Sequence, residues 1–323
     1  MSKRIETIEK IYGLVNSRDI QGITALVGYE LLRKRVLWNF TRIVANEPDI
    51  RFVATKLVET GSDVTFTLSL EGTRRAYEPA LQKARFKGSD LLDIRTVLMV
   101  DGSSNSTAYG QHHVLSPLAV SLFAKIAPLP GFFTIDDCAH FTLVLRTQTA
   151  CGMRGDVLEI GSYYGRSTAA LAASMNPNET LIACDLFDLE GSDVDYSLTG
   201  FGPPSEDGLR RLIASVCEPD RAPKLETHRC FSSEIPLDGT RRFRFIHIDG
   251  GHDEDVAIGD LRFSAERLLP GGIIVVDDYA HILYPGVTAA VDRFLSEHPE
   301  FYVMGDMNRI AEAGRKQYLC LRA

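Results

Sequence analysis

The feature that most constrains this chain is the regular alternation of short apolar runs with amphipathic stretches that begins at Asp156. Residues 157–160, 181–185, 224–230, 243–249 and 271–278 read as strands, 166–175, 206–217, 254–268 and 286–298 as helices, and 300–305 with 317–322 as a closing strand pair. Runs that stay apolar are strands covered on both faces, and helices returning between them make those strands parallel. The expectation is an α/β fold with a doubly wound, mostly parallel sheet. Its ligand crevice should lie beyond the C-terminal ends of the strands.

Seven polar residues fall at or just past those ends: Glu159, Asp185, Ser232, Asp249, His252, Asp277 and Asp278. The stretch Asp156–Thr168, DVLEIGSYYGRST, is a strand, a glycine turn and a helix start. Gly161 can take positive φ, Gly165 lets the backbone approach a ligand, and a helix N-terminus offers unpaired N–H groups. Ser162, Tyr163 and Ser167 belong to the same turn and first helical residues, so a nucleotide-like cofactor is expected there. The dinucleotide pattern G-x-G-x-x-G does not fit, because Glu159 stands where its first glycine would be.

Ahead of this region the chain reads differently. Residues 2–45 have helical periodicity, 51–60 and 63–72 alternate as a hairpin, 77–86 reads as a helix and 91–104 as a strand ending in a turn. This describes a smaller α+β domain over 1–110, an oligomerisation module or part of a substrate pocket. Pro117, Pro128, Pro130 and Gly131 mark 111–133 as a linker, and Thr134 is placed to cap the helix that opens the second domain, 134–323. His112 and His113 read as loop-surface residues, and Arg241, Arg242 and Arg244 as a solvated cluster at the start of a strand.

A formal net charge of −8 argues against nucleic acid as a partner. The six cysteines have no metal-finger spacing, and no stretch has the length and apolarity of a signal core or a membrane span, so a cytoplasmic protein with free thiols, touching no membrane, is expected. Neither a G-x-S-x-G elbow nor a Walker sequence occurs.

The segments LEIGSYYGRST, ACD, FIHIDGGHDEDVAIGDL, LLPGGIIVVDDY and PGVTAAVDRF resemble the class I S-adenosylmethionine-dependent methyltransferases. More narrowly, they resemble the metal-dependent O-methyltransferases of the macrocin and mycinamicin sugar type. The resemblance covers about 134–323 and implies a Rossmann-like domain, S-adenosyl-L-methionine and Mg2+ as cofactors, and a small-molecule hydroxyl as acceptor, with a natural product as its class. A homo-oligomer is also expected, since some relatives carry an N-terminal assembly domain.

Carried over residue by residue, Glu159, Gly161 and Gly165 match the motif around the cofactor's amino acid part, Asp185 the acid on the ribose hydroxyls, and Ser232 the position near adenine. Asp249, Asp277 and Asp278 match the metal-binding carboxylates, with Asp249 also bordering the cofactor site. Hard oxygen ligands without cysteine suit Mg2+. His252 matches the base, and both it and Asp249 are expected to be catalytic. An imidazole can take a proton at neutral pH, more readily from a hydroxyl bound to a cation. Some relatives place an Asp two residues after the first ligand, whereas this chain has Gly251 there, which favours His252. The alternative is that His252 caps the following helix or buttresses the metal site.

Tyr279 and His281 are candidates for the substrate side, and the polar loop 186–208 is expected to be a lid or else a surface insertion. Competing readings of the whole are a same-fold enzyme of another class, a hydroxylase or a nicotinamide oxidoreductase, and a non-catalytic cofactor-binding assembly protein.

Overall fold

A computed structural model describes residues 2–73, 80–99, 117–187, 203–308 and 314–322. They form two compact units, one within the first 99 residues and one from residue 117 onward.

In the first unit, helices α1 (Lys3–Asn16), α2 (Ile20–Leu26) and α3 (Glu30–Asn46) precede strands β1 (Arg51–Thr60), β2 (Asp63–Glu71), β3 (Ala80–Lys87) and β4 (Asp90–Met99). The strands form one antiparallel sheet in the order β1-β2-β3-β4. Ile8, Ile11 and Val15 repeat at helical spacing on α1 and are buried, and Tyr12 packs its ring against Phe52 and Phe66. The helix expected over 77–86 is a correction, because from Ala80 the chain is strand β3. Its composition is rich in helix formers, but Gln82, Ala84 and Phe86 are buried while Lys83, Arg85 and Lys87 are not. This period of two, with a β2 partner in register, outweighs local propensity.

The second unit holds helices α4 (Pro117–Ile126), α5 (Ile135–Ala150), α6 (Arg166–Ser174), α7 (Glu206–Val216), α8 (Glu254–Ala265) and α9 (Pro285–Glu297). Its strands are β5 (Asp156–Ile160), β6 (Thr180–Cys184), β7 (Lys224–His228), β8 (Phe243–Ile248), β9 (Leu268–Tyr279), β10 (Phe301–Asn308) and β11 (Arg315–Leu321). They form one sheet in the order β10-β11-β9-β8-β5-β6-β7. The five strands from β9 to β7 are parallel, and β11 and β10 close the other edge antiparallel. This is the doubly wound, mostly parallel sheet expected, in a Rossmann-like arrangement.

Apolar layers cover both faces of this sheet. One includes Phe141, Leu145, Ala169 and Phe245, the other Ile246, Leu261, Val291 and Phe294. Thr134 caps α5 with a reciprocal Asp137 carboxylate, as its position in the sequence suggests. Part of the expected linker is helix α4, whose Ala119, Leu122 and Ile126 are buried at helical spacing. Pro117 stands at its first position, where proline starts a helix rather than breaking one. Among the described residues no helix is long and apolar enough to cross a membrane. All six cysteines are free.

Strand order changes direction between β5 and β8. The chain proceeds outward from β5 through β6 to β7, then returns to lay β8 on the other side of β5. The crevice of such a sheet opens at this switch point.

Candidate active site

At the switch point Gly161 follows β5 with φ +86°, and a Cβ there would lie 1.9 Å from the Asp249 carbonyl oxygen. The turn after β5 and the loop after β8 therefore touch backbone to backbone, which only glycine permits. Gly165 also has positive φ, but the atoms its Cβ would meet are Leu209 Cδ1 at 2.5 Å and Leu212 Cδ2 at 2.9 Å. Its left-handed backbone at the N-cap of α6 already requires glycine, and the α7 side chains pack against the same place. Tyr163 is left-handed at φ 49°.

Asp185, just past β6, ties this turn together. Its Oδ2 accepts from the backbone N–H groups of Ser162 and Tyr163, each at 2.7 Å, and its Oδ1 from Phe187 N at 2.5 Å. Burial lifts its pKa above the ordinary carboxylate value, and those three donors offset only part of the lift. Ser167 is buried in the first turn of α6. The Ser162 hydroxyl is 1 % exposed as a residue and its oxygen has no hydrogen-bond partner among the described residues. Arg166, at the first position of α6, donates from Nη1 to Gly131 O at 2.8 Å and from Nη2 to Ala127 O at 2.7 Å, holding 127–133 beside the turn.

Glu159 differs most from expectation. Its residue is wholly buried, Oε2 accepts a short hydrogen bond from Thr168 Oγ1, and Oε1 lies 3.0 Å from His247 Nδ1. Both oxygens are engaged from inside the protein, so Glu159 underlies the turn instead of facing the crevice. The network continues inward. His247 Nε2 lies 3.3 Å from Lys316 Nζ, and Lys316 donates a short hydrogen bond to Asp277 Oδ2. Burial and the Lys316 ammonium push the His247 pKa down, contacts with Asp277 and Glu159 push it up, and the balance lies above the ordinary imidazole value.

Asp249, Asp277 and Asp278 come together at the ends of β8 and β9. Ligand atoms of His247, Asp249 and Asp277 lie within 4.8 Å of one another, as do those of Asp249, His252 and Asp278. Asp249 is pushed up to about 8, first by burial and then by Asp277, with Lys316 opposing and Asp278 adding to the rise. A carboxylate under that pressure is one that a cation would stabilise. Asp278 sits in the left-handed region at φ 57°, and its Oδ2 lies 3.2 Å from His252 Nε2. Burial and Asp277 raise its pKa, but the His252 hydrogen bond together with the His281 and His252 charges outweighs them and leaves it below the ordinary value.

The His252 ring stacks on Tyr284 with centroids 3.7 Å apart and planes within 13°. It does not cap α8, whose N-cap is Asp253. A water-sized, mostly apolar hollow, with Ile248, Val276 and Val287 in its lining as well as Asp249, His252 and Asp277, lies beside these groups.

Ser232 donates a short hydrogen bond to Asp260, whose Oδ2 in turn lies 2.9 Å from where a Gly250 Cβ would be. Tyr279 donates through its hydroxyl to Asp292 on α9 at 3.0 Å. His281 is buried, accepts from Leu283 N and stacks on Tyr284. His112, His113 and loop positions 188–202 lie outside the described residues.

His247, Lys316, Thr168, Asp260 and Tyr284 are the participants the sequence reading passed over. The available signals were an imidazole inside the apolar strand FRFIHI and a lysine at the start of β11.

Residues 158–279 match a family model described as a methyltransferase domain. The part of the second unit from Leu158 to Tyr279 thus matches a methyltransferase domain, and the chain is an enzyme of the methyl-transferring class. Among solved structures, the chain is similar to an O-methyltransferase from Bacillus cereus in complex with SAH, at 14 % identity, TM-score 0.48, 67 % of this chain and 96 % of that one. It is also similar to the O-methyltransferase TomG from Streptomyces achromogenes, involved in tomaymycin synthesis, in complex with SAM, at 14 % identity, TM-score 0.46, 67 % of this chain and 95 % of that one. A third is the SAH-bound methyltransferase PaMTH1 of Podospora anserina, at 16 % identity, TM-score 0.45, 67 % of this chain and 94 % of that one. No curated protein matches the chain.

Proposed function

We propose that this chain is an S-adenosylmethionine-dependent O-methyltransferase that uses Mg2+ and methylates a hydroxyl of a small molecule, with glycosylated natural products as the acceptor class. The observation that carries the reading is the contact of Gly161 with the Asp249 backbone, which sets the glycine turn and the acid cluster against each other in one crevice. The donor side fits: the turn presents a buried Ser162 hydroxyl with no hydrogen-bond partner among the described residues and the Asp185 carboxylate beside it. The cation side fits as well, since burial and the neighbouring Asp277 raise the Asp249 pKa and Asp278 places a ligand atom beside it. Asp249 and Asp278 would hold Mg2+, which when bound makes a coordinated hydroxyl easier to deprotonate.

In this reading the turn 161–165 and Asp185 hold and orient the methyl donor. His252 accepts the proton of the acceptor hydroxyl, with Asp278 at 3.2 Å from Nε2 stabilising the imidazolium and Tyr284 fixing the ring plane. The C–S bond of the sulfonium breaks as the C–O bond forms, so no covalent intermediate on the enzyme is needed. Alignment of donor and acceptor supplies on the order of 7 kcal/mol of barrier lowering in favourable cases.

Calorimetry with S-adenosylhomocysteine and with NAD tests the donor: the first should bind and the second should give no heat. Mass spectrometry of co-purified small molecules identifies the acceptor. With that acceptor His252→Ala should lose about 100-fold or more in rate while binding Mn2+ within threefold of wild type. NAD binding, or a full rate in His252→Ala, overturns the corresponding part.

A further inference from the structure

The pair Asp277–Asp278 is split by a β-bulge. Along β11 the partners step from Arg315 to Gln317, two residues, while along β9 they step from Tyr279 to Val276, three residues. Two residues of β9, Asp277 and Asp278, thus stand opposite the single residue Lys316. A bulge of this kind re-aims side chains, and here consecutive carboxylates take different partners. Asp277 pairs with Lys316, while Asp278 at φ 57° reaches His252. Lys316 is fully buried, its ammonium 5.6 Å from the Phe141 ring centre and 5.7 Å from that of Phe133. Aromatic faces favour a cation in that place.

We infer that Lys316 is the built-in counter-cation of the acid cluster, a positioning residue that keeps Asp277 out of the coordination of the divalent cation and leaves Asp249 and Asp278 to face it. The inference rests on the Mg2+ reading above. The network holds more carboxylates than cations, with Glu159 against His247 at its inner end and Asp249 and Asp278 at its outer end, so a divalent cation at the outer end would meet a surplus of negative charge, and buried charge is tolerated where it is paired. A carboxylate oxygen already bonded to an ammonium is also a poor ligand, because the ammonium and the ion would repel each other at close range.

Mn2+ binding to the full chain, followed by electron paramagnetic resonance with the metal alone, tests this. Wild type should bind Mn2+, and Asp278→Asn should weaken it at least tenfold. The double variant Lys316→Met/Asp277→Asn removes both members of a buried pair, a change that folds tolerate better than loss of one member. It should keep Mn2+ affinity within threefold of wild type. Lys316→Met alone takes the ammonium away from Asp277 and from the neighbourhood of the ion, and should bind Mn2+ about tenfold more tightly. A double variant that loses Mn2+ as Asp278→Asn does, or a Lys316→Met affinity no tighter than wild type, overturns the inference. Wild type that binds no Mn2+ instead fails the metal reading itself, so the two failures are distinguishable.

Discussion

Strand β8 carries two buried polar side chains three residues apart, and their networks are of different kinds. Arg244 is closed on itself. Its Nε and Nη2 donate to the two oxygens of Glu179 at 2.9 and 2.7 Å, and Nη1 donates to Gln148 Oε1 at 2.9 Å, while Gln148 donates back to Arg244 O. Burial works against the Glu179 carboxylate, but Arg244 and Asn176 hold it below its ordinary value. His247 belongs to a network with more acids than cations, running from Glu159 through Lys316 to Asp277 and opening onto Asp249 and Asp278. The Arg244 set and the inner part of the second network, His247, Glu159, Lys316 and Asp277, are buried, while Asp249 and Asp278 at its outer end are only half-buried. Charge balance, together with that partial exposure, separates the pair that holds the fold from the cluster that would receive a ligand.

The largest effect that could break this distinction is in the balanced network. Arg244→Met leaves a buried, uncompensated Glu179 and should cost about 3–5 kcal/mol of stability, read as a lowered urea midpoint. Arg244→Met/Glu179→Met should recover most of it. Binding of S-adenosylhomocysteine by the folded fraction should stay within twofold. If it weakened in step with stability, the two networks would not be separable.

That distinction also explains what could be read in advance. The strands and helices of the second unit were legible because strands buried on both faces leave continuous apolar runs, and α5 because Thr134 and Asp137 form a local cap. The convergence of Asp185, Asp249, His252, Asp277 and Asp278 followed from strand-end positions in a parallel sheet. Pairing across distant segments could not be read. Arg244 looked like one of three surface cations, and its partner Glu179 lies 65 residues away. Lys316 meets Asp277 only because β11 adds antiparallel to β9 with a bulge, a register that no local pattern encodes. Glu159 was read as facing a ligand from its motif position, since its carboxylate meets His247 only through the pairing of β5 with β8. Strand β3 failed for the same reason in reverse: its composition favours a helix, and its neighbours in the sheet decide otherwise.

Asp260 sharpens the comparison with a smaller effect. Burial pushes it up to about 6, offset only in part by the Ser232 hydroxyl. Its folded pKa lies above the unfolded one, so the folded state holds the proton longer. Its favourable contribution is full below about pH 4 and fades as pH rises to about 6. Asp260→Asn should remove that slope, leaving the variant up to about 2 kcal/mol more stable than wild type at pH 7 and no more stable at pH 3.5. Urea unfolding at the two pH values checks it. A gap between the proteins that is the same at both pH values would show that charge at Asp260 does not matter to the fold.

The smallest effect concerns the reverse case, a buried polar atom that no described residue satisfies. The Ser162 oxygen lies in the turn that meets Asp249, on a residue whose backbone N–H is held by Asp185. Leaving a buried hydroxyl unsatisfied costs about 1–3 kcal/mol, whereas every polar side-chain atom of Arg244 and Glu179 has a partner. If the turn is shaped for a donor molecule, Ser162→Ala should act with opposite signs in the two states. It should raise the stability of the free protein by about 0.5–1 kcal/mol by deleting the unmatched group. It should also weaken S-adenosylhomocysteine about fivefold by deleting a hydrogen-bond partner, close to 1 kcal/mol. Thermal melting of the free and ligand-saturated variant reads both terms at once. A loss of stability in the free protein would mean that the hydroxyl serves the fold, and unchanged binding would mean that the donor does not meet it.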